Sequence, residues 1–267
     1  MKNDSIKRTV LVALALCVVC SILVSTAVVV LRPQQDENRR IEQLKNILIA
    51  AGLYTQDSEV IGRYNETIRR IMIKLSSGQK AEAEVVAAGL SPERYDIKEA
   101  AQKTPSSESI AAVDDLAGIK RRPKWVNVYL ITDAGQVRGV VLPVFGKGLW
   151  STMYGFIALD IDLKTVNGFT FYEHGETPGL GGEVDNLRWK ALWPGKQLSD
   201  EGGVYRLKVI KGKVDASKPE QKLYMVDGLS GATLTTRGVD NLLRYWLGEK
   251  GYAPFFARLR QGEFNEQ

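Results

Sequence analysis

From Thr9 to Leu31 the chain runs for 23 residues without a charge, mostly Leu, Val, Ala and Ile, between Lys7-Arg8 and Arg32-Pro33. As an α-helix this run is about 34 Å long, enough to cross the hydrocarbon core of a bilayer. The segment is therefore either a membrane anchor or a leader that is removed. Ser25-Thr26-Ala27 has the small residues of a cleavage site, yet the apolar run continues through Val28-Val29-Val30-Leu31. That continuation favours a retained, single-pass transmembrane helix over residues 9–31. Lys2, Lys7 and Arg8 on one side nearly balance Arg32, Arg39 and Arg40 on the other, so charge asymmetry says little about orientation. The short tail, residues 1–8, fits a signal-anchor with the tail cytoplasmic and the rest of the chain exported.

Composition removes several kinds of chemistry. Both cysteines, Cys17 and Cys20, lie inside the apolar run, and His174 is the only histidine. A disulfide framework and a Cys/His zinc site are thereby excluded from the remainder, and a Ser-His or Cys-His nucleophile pair would need His174 as its base. Cys17 and Cys20 share one helix face, where they read as small packing residues rather than a redox pair. The net charge of +5 comes from 36 basic and 31 acidic residues that are well mixed. The one dense basic run, Lys120, Arg121, Arg122 and Lys124 around Pro123, has no aromatic or basic stripe extending it. It reads as a solvated turn, with no nucleic-acid partner. No converging carboxylates suggest a cation cage, so no metal ligand is expected.

Beyond the anchor, Ile41, Leu44, Leu48 and Ala51 recur at helical spacing up to Gly52, and Ile61, Tyr64, Ile68, Ile71 and Leu75 do so again. Two amphipathic helices are expected there. Residues 76 to 120, rich in Ala, Ser and Glu and broken by Pro92 and Pro105, read as short helices and loops. The pattern then turns to strands. Trp125 to Thr132 and Val137 to Val144 flank Asp133-Ala134-Gly135 as a hairpin, and Gly155–Asp162, Val166–Glu173 and Tyr205–Lys211 have the same β-branched and aromatic enrichment. Val239, Leu242, Leu243, Trp246 and Leu247 mark a helix that should pack on the sheet. The expected fold class is α+β, with helices flanking a mostly antiparallel sheet. The expected organisation is an extracytoplasmic helical segment over 32–123 and a ligand-binding domain over 124–267.

Three glycine-rich segments interrupt this pattern: Gly146-Lys-Gly-Leu-Trp150-Ser-Thr152, His174-Gly-Glu176-Thr177-Pro-Gly179-Leu180-Gly181-Gly182, and Asp227-Gly-Leu-Ser230-Gly231-Ala232-Thr233-Leu-Thr235-Thr236. The third immediately precedes the last amphipathic helix, where backbone amides and about half a positive charge from the macrodipole would favour a phosphate beside Thr233. The alternative is a turn at Asp227-Gly228 followed by a helix capped by Thr235 or Thr236. In the second segment, missing side chains would let backbone approach a flat ring, with Glu176 and Thr177 as polar contacts, although glycines and a proline also make an ordinary turn. His174 reads as a structural histidine in preference to a direct contact with such a ring.

Asp227-Gly-Leu-Ser-Gly-Ala-Thr233 resembles the recognition sequence of the periplasmic flavin transferase, which joins FMN through its phosphate to the closing threonine. With His174-Gly-Glu-Thr-Pro-Gly-Leu-Gly181 and Gly146-Lys-Gly-Leu-Trp150, the chain resembles the C subunits of the sodium-translocating NADH:quinone oxidoreductases. The resemblance implies one covalent FMN on Thr233, with Asp227, Ser230, Gly231 and Ala232 in the attachment motif. Glu176, Thr177, Gly179, Leu180 and Trp150 then stand beside the cofactor, Trp150 and Leu180 as neighbours of its ring, against an ordinary core role for those two. Lys147 or Lys222 is a candidate to neutralise the phosphate. The resemblance also implies a bacterial inner membrane location with the large domain periplasmic. Electrons would come from iron-sulfur-bearing membrane subunits and pass to the FMN of the B subunit, coupled to sodium export by the whole complex. Two alternatives remain: the G subunit of an Rnf-type ferredoxin:NAD complex, which shares the motif and anchor, and a non-redox membrane-anchored binding or assembly module.

Overall fold

The structure, a computed structural model, describes residues 6–56 and 59–264. Most of the expected cytoplasmic tail therefore lies outside the described residues. The elements in order are α1 (Ile6–Ala50), α2 (Val60–Thr67), β1 (Ile68–Lys74), α3 (Glu82–Ala87), α4 (Ile97–Gln102), β2 (Ser107–Ser109), β3 (Arg121–Pro123), β4 (Trp125–Asp133), β5 (Gln136–Lys147), β6 (Thr152–Asp160), β7 (Val166–Glu173), α5 (Leu187–Lys190), β8 (Lys208–Val209), α6 (Pro219–Tyr224), β9 (Met225–Val226), α7 (Thr233–Trp246) and α8 (Ala253–Arg260). The fold is α+β. The chain divides into two compact units, the first ending at Gln43 and the second starting at Leu44.

In the first unit, α1 is long and apolar enough to cross a membrane, and none of that stretch is buried within the chain. Leu11, Leu14, Leu23 and Val29 all point outward, which suits a helix whose surroundings are lipid rather than a protein core. The separate helix expected after the anchor is a continuation of α1, which runs through Pro33 without ending. It stops where Gly52 takes φ +71 and the amide of Leu53 turns back to the carbonyl of Leu48, a left-handed glycine termination.

The second unit is built on a five-stranded sheet of order β1-β4-β5-β6-β7, antiparallel throughout. Ala134 and Gly135, both at positive φ, make the tight connection of the β4–β5 hairpin, as the sequence indicates. The helix expected over 61–75 ends at Thr67, and Ile68–Lys74 is instead the edge strand, with Ile71 opposite Val128. Apolar residues at Ile71, Ile73 and Leu75 satisfy the two-residue period of a strand as well as the helical template, and pairing with β4 decides between them. The strand expected over 205–211 shrinks to β8, which pairs in parallel with β9. Residues 76–120 do form the short helices α3 and α4, joined by turns and β2.

One sheet face carries Val126, Val128, Leu130, Leu142, Val144, Ile157 and Phe169, covered by Val239, Leu242, Leu243 and Trp246 of α7 and by Phe255 and Leu259 of α8. The other face carries Tyr129, Val141, Phe156 and Ala158 and packs on Ile47, Leu48, Ala50 and Ala51 at the end of α1. The indole of Trp246 donates to the carbonyl of Phe145 at 2.7 Å, and the Tyr252 hydroxyl to that of Pro143 at 2.6 Å. These two bonds fix the end of α7 and the start of α8 to the second half of β5.

Candidate functional site

The start of α7 meets the other two glycine-rich loops. Its N-cap is Ala232, at φ −125° and ψ 54°, and no side chain caps the helix. The expected caps are used elsewhere, because Thr235 and Thr236 already lie inside the first turn. The Thr235 hydroxyl donates to Glu176, while the Thr236 hydroxyl oxygen accepts the amide of Leu229 at 3.0 Å. Thr233 is the first helical residue and is exposed, as are Ser230 and Gly231 beside it. An exposed hydroxyl thus stands at a helix N-terminus whose leading amides carry no side-chain cap, an arrangement that stabilises an anion.

The first half of the motif is structural. Asp227 Oδ1 accepts the amide of Val214 at 2.8 Å, and its carbonyl accepts the indole N–H of Trp189 at 2.9 Å. The amide of Gly228 bonds to the carbonyl of Gly212, and Leu229 is buried. These contacts anchor the segment on the β8 side and leave Ser230, Gly231 and Thr233 exposed, with Ala232 between them buried in the core.

Glu176 is only 5% exposed, so its charge must be satisfied from within. Oε1 accepts the amides of Trp150 at 2.9 Å and Ser151 at 3.2 Å. Oε2 accepts the amide of Leu149 at 3.1 Å and the Thr235 hydroxyl at 2.6 Å. Burial opposes the charge, but the Thr235 hydroxyl and the three amides outweigh it and hold the carboxyl below its usual range. Two glycines make room for this: a Cβ at Gly148 would lie 2.6 Å from Oε1, and one at Gly181 would lie 2.5 Å from the Thr235 hydroxyl. A third, Gly238, lets α7 approach the loop so closely that a Cβ there would run into the carbonyl of Lys147.

Each of the three segments also leaves an apolar side chain exposed. Trp150 is 67% exposed, Leu180 44% and Leu234 53%. Leu180 lies against Gly231, where a Cβ would meet its Cδ2 at 2.9 Å. The backbone turn before it is closed by the Thr177 carbonyl, which accepts the amides of Leu180 and Gly182, with Gly179 at φ +75. The core role considered for Trp150 and Leu180 does not apply to side chains this exposed. His174 is held between Asp185, 2.7 Å from Nε2, and the amide of Glu176, which donates to Nδ1 at 3.2 Å. That is the structural role expected of it.

Of the two lysines, Lys147 reaches the carbonyl of Trp150 at 3.3 Å, within the same loop. Lys222 is exposed on α6. The sequence offers Thr235 only as a cap, and does not single out Leu149, exposed in the loop after β5, or Leu234, exposed in the first turn of α7.

An exposed hydroxyl beside an anion-favouring helix start, with Trp150, Leu180 and Leu234 exposed on the segments joined there, fits a ligand with one phosphate and one flat apolar ring. The comparisons with known proteins agree. The model of the FMN-binding domain family matches residues 148–248, which include all three walls of this site. A Pseudomonas aeruginosa protein, the C subunit of a Na(+)-translocating NADH-quinone reductase, is 47% identical over 264 residues, covering 98% of each chain. Its Yersinia pestis namesake is 42% identical over 97% of this chain and 95% of its own. The crystal structure of Shewanella oneidensis NqrC superposes with a TM-score of 0.74 at 33% identity, covering 84% of this chain and 99% of that one.

Proposed function

Because this chain belongs to the family of C subunits of the Na(+)-translocating NADH-quinone reductases, we propose that it carries FMN esterified through its phosphate to Thr233 and relays electrons inside that membrane translocase. It is one subunit of the complex, so its activity is expressed together with the others. Relatives matched over nearly the whole chain that are C subunits of this reductase decide against the Rnf-type alternative, and the match to the FMN-binding domain family favours a flavin-carrying subunit over a non-redox binding or assembly module.

The observation that carries the attachment point is the exposed Thr233 hydroxyl at the uncapped first turn of α7. A phosphodiester there bears one negative charge, which the helix N-terminus stabilises by roughly 0.3–1 kcal/mol at a surface site. FMN, when bound, supplies the capacity to accept and release electrons singly or in pairs. The chain's own residues supply position. Ser230, Gly231 and Ala232 present the hydroxyl, Asp227 fixes the motif to the β8 side, and Trp150, Leu180 and Thr177 border the ring with Gly179 and Glu176 shaping the turn beneath it. The covalent link keeps the cofactor in place on an exported domain.

In this reading Thr233 would hold FMN as an electron carrier between an iron-sulfur centre in the membrane part of the complex and the FMN of the B subunit, coupled to sodium export by the whole complex. The domain after α1 is periplasmic, where the flavin transferase acts, and α1 anchors it in the inner membrane. Mass spectrometry of the full-length chain produced with the transferase tests the attachment. The peptide containing Thr233 should carry the flavin mass, and Thr233→Ala should abolish flavin fluorescence of the denatured band on a gel. A wild-type peptide without the added mass overturns the reading.

A further inference from the structure

We propose that Glu176 is a positioning residue: bonded to the amides of Leu149, Trp150 and Ser151 and to the Thr235 hydroxyl, it fixes the loop bearing Trp150 to the helix turn that begins at Thr233, holding the flavin ring's border and its attachment point in one frame. This rests on the reading of Thr233 as the FMN attachment site.

Three successive amides converging on one anion form a nest, and here the anion is the chain's own side chain. Each Glu176 oxygen accepts two hydrogen bonds, so all the lone pairs of the carboxylate are engaged and none is left for the ring. Its influence on the flavin must pass through what it holds. On one side that is Trp150, whose backbone is tied down while its indole stays 67% exposed. On the other side it is Thr235, two residues beyond Thr233 in the same helical turn.

Other contacts restrain the loop less. The Ser151 hydroxyl oxygen accepts the amide of Gly175, and Lys147 reaches the Trp150 carbonyl, yet neither bond reaches α7. Among the described residues, only the buried carboxylate joins three elements through hydrogen bonds of one side chain: the loop after β5, the turn after β7 and the start of α7. Gly148 and Gly181, which a Cβ would drive into Glu176 or Thr235, leave room for that junction.

The test uses the full-length chain, flavinylated by its transferase, in wild type, Glu176→Gln, Thr235→Val and Thr235→Ser forms. Glu176→Gln turns an amide NH2 toward backbone donors, whereas Thr235→Val removes only the hydroxyl and keeps the shape. The readouts are flavin mass on the Thr233 peptide, flavin fluorescence anisotropy and visible absorption at temperatures well below unfolding, and the melting temperature. The expected result is that both disruptive variants carry the flavin but show a loss of anisotropy and a shifted absorption band, while Thr235→Ser matches wild type. Should Glu176→Gln not fold, Thr235→Val alone decides. Unchanged anisotropy and spectrum in a flavinylated Thr235→Val, even with a lowered melting temperature, reduce the contact to stability alone and overturn the proposal. A folded Thr235→Val without flavin, beside a flavinylated wild type, also overturns it, because the hydroxyl would then serve attachment itself. A wild type without flavin mass removes the attachment reading instead.

Discussion

Thr235 and Glu176, 59 residues apart in sequence, are joined by a buried 2.6 Å hydrogen bond from hydroxyl to carboxylate. The bond ties α7 to the turn after β7 at the level of Thr233. Hydrogen bonds to charged groups contribute about 1.5–3 kcal/mol, more than neutral ones. Thr235→Val should therefore lower stability by about that amount, and Thr235→Ser by much less, in denaturant unfolding of the second unit.

The pH dependence follows from the same carboxylate. Its folded pKa is depressed, so it contributes stability above its unfolded value of ~4.3, and that contribution is lost as pH falls through the folded value. Wild type should accordingly lose stability on acidification more steeply than Glu176→Gln. The difference between them should be largest near neutral pH and shrink below pH ~4. Melting curves across that range measure it; parallel curves would remove Glu176 from the acid-sensitive groups.

Gly181→Ala should destabilise, because its Cβ would lie 2.5 Å from the Thr235 hydroxyl and 2.9 Å from Glu176 Oε2. Overpacking of this kind costs about 1–3 kcal/mol. Gly179→Ala presents the contrast: nothing lies within 4 Å of its Cβ, but its φ of +75 strains any side chain. Its cost should be near 1 kcal/mol from backbone conformation alone. Unfolding of the two variants side by side separates crowding from strain.

Much of this is legible in the sequence. The long apolar helix, the β4–β5 hairpin and the α7 stripe of Val239, Leu242, Leu243 and Trp246 follow from local periodicity, and the glycine-rich segment before α7 marks where that helix begins. Ile68–Lys74 reads as helix because Ile68, Ile71 and Leu75 satisfy helical spacing, and only pairing with β4, more than fifty residues away, selects the strand. The Glu176–Thr235 bond is hidden for a related reason. A threonine in the first turn of a helix reads locally as a cap, and its true partner is set by how α7 packs on β5.

Trp150 should behave as a surface residue toward stability and as a site residue toward the flavin. With its side chain 67% exposed, Trp150→Ala should change stability within about 0.5 kcal/mol. In the flavinylated protein the same substitution should alter visible absorbance and relieve quenching of flavin fluorescence. An unaltered spectrum would take Trp150 away from the ring.

The end of α1 belongs to the sheet domain's core, which sets where the soluble unit can be cut. Ile47 and Leu48 are fully buried against Tyr129, Val141 and Phe156. Burying each contributes about 1.5–3 kcal/mol, and without them that sheet face is exposed to water. A chain starting at Leu44, the first residue of the second compact unit, should fold and remain in solution without detergent. A chain starting at Leu53 should lose several kcal/mol, a large share of the ~5–15 kcal/mol typical of a domain, and should aggregate. Equal melting temperatures for the two would mean that the end of α1 merely lies on the sheet rather than completing its core.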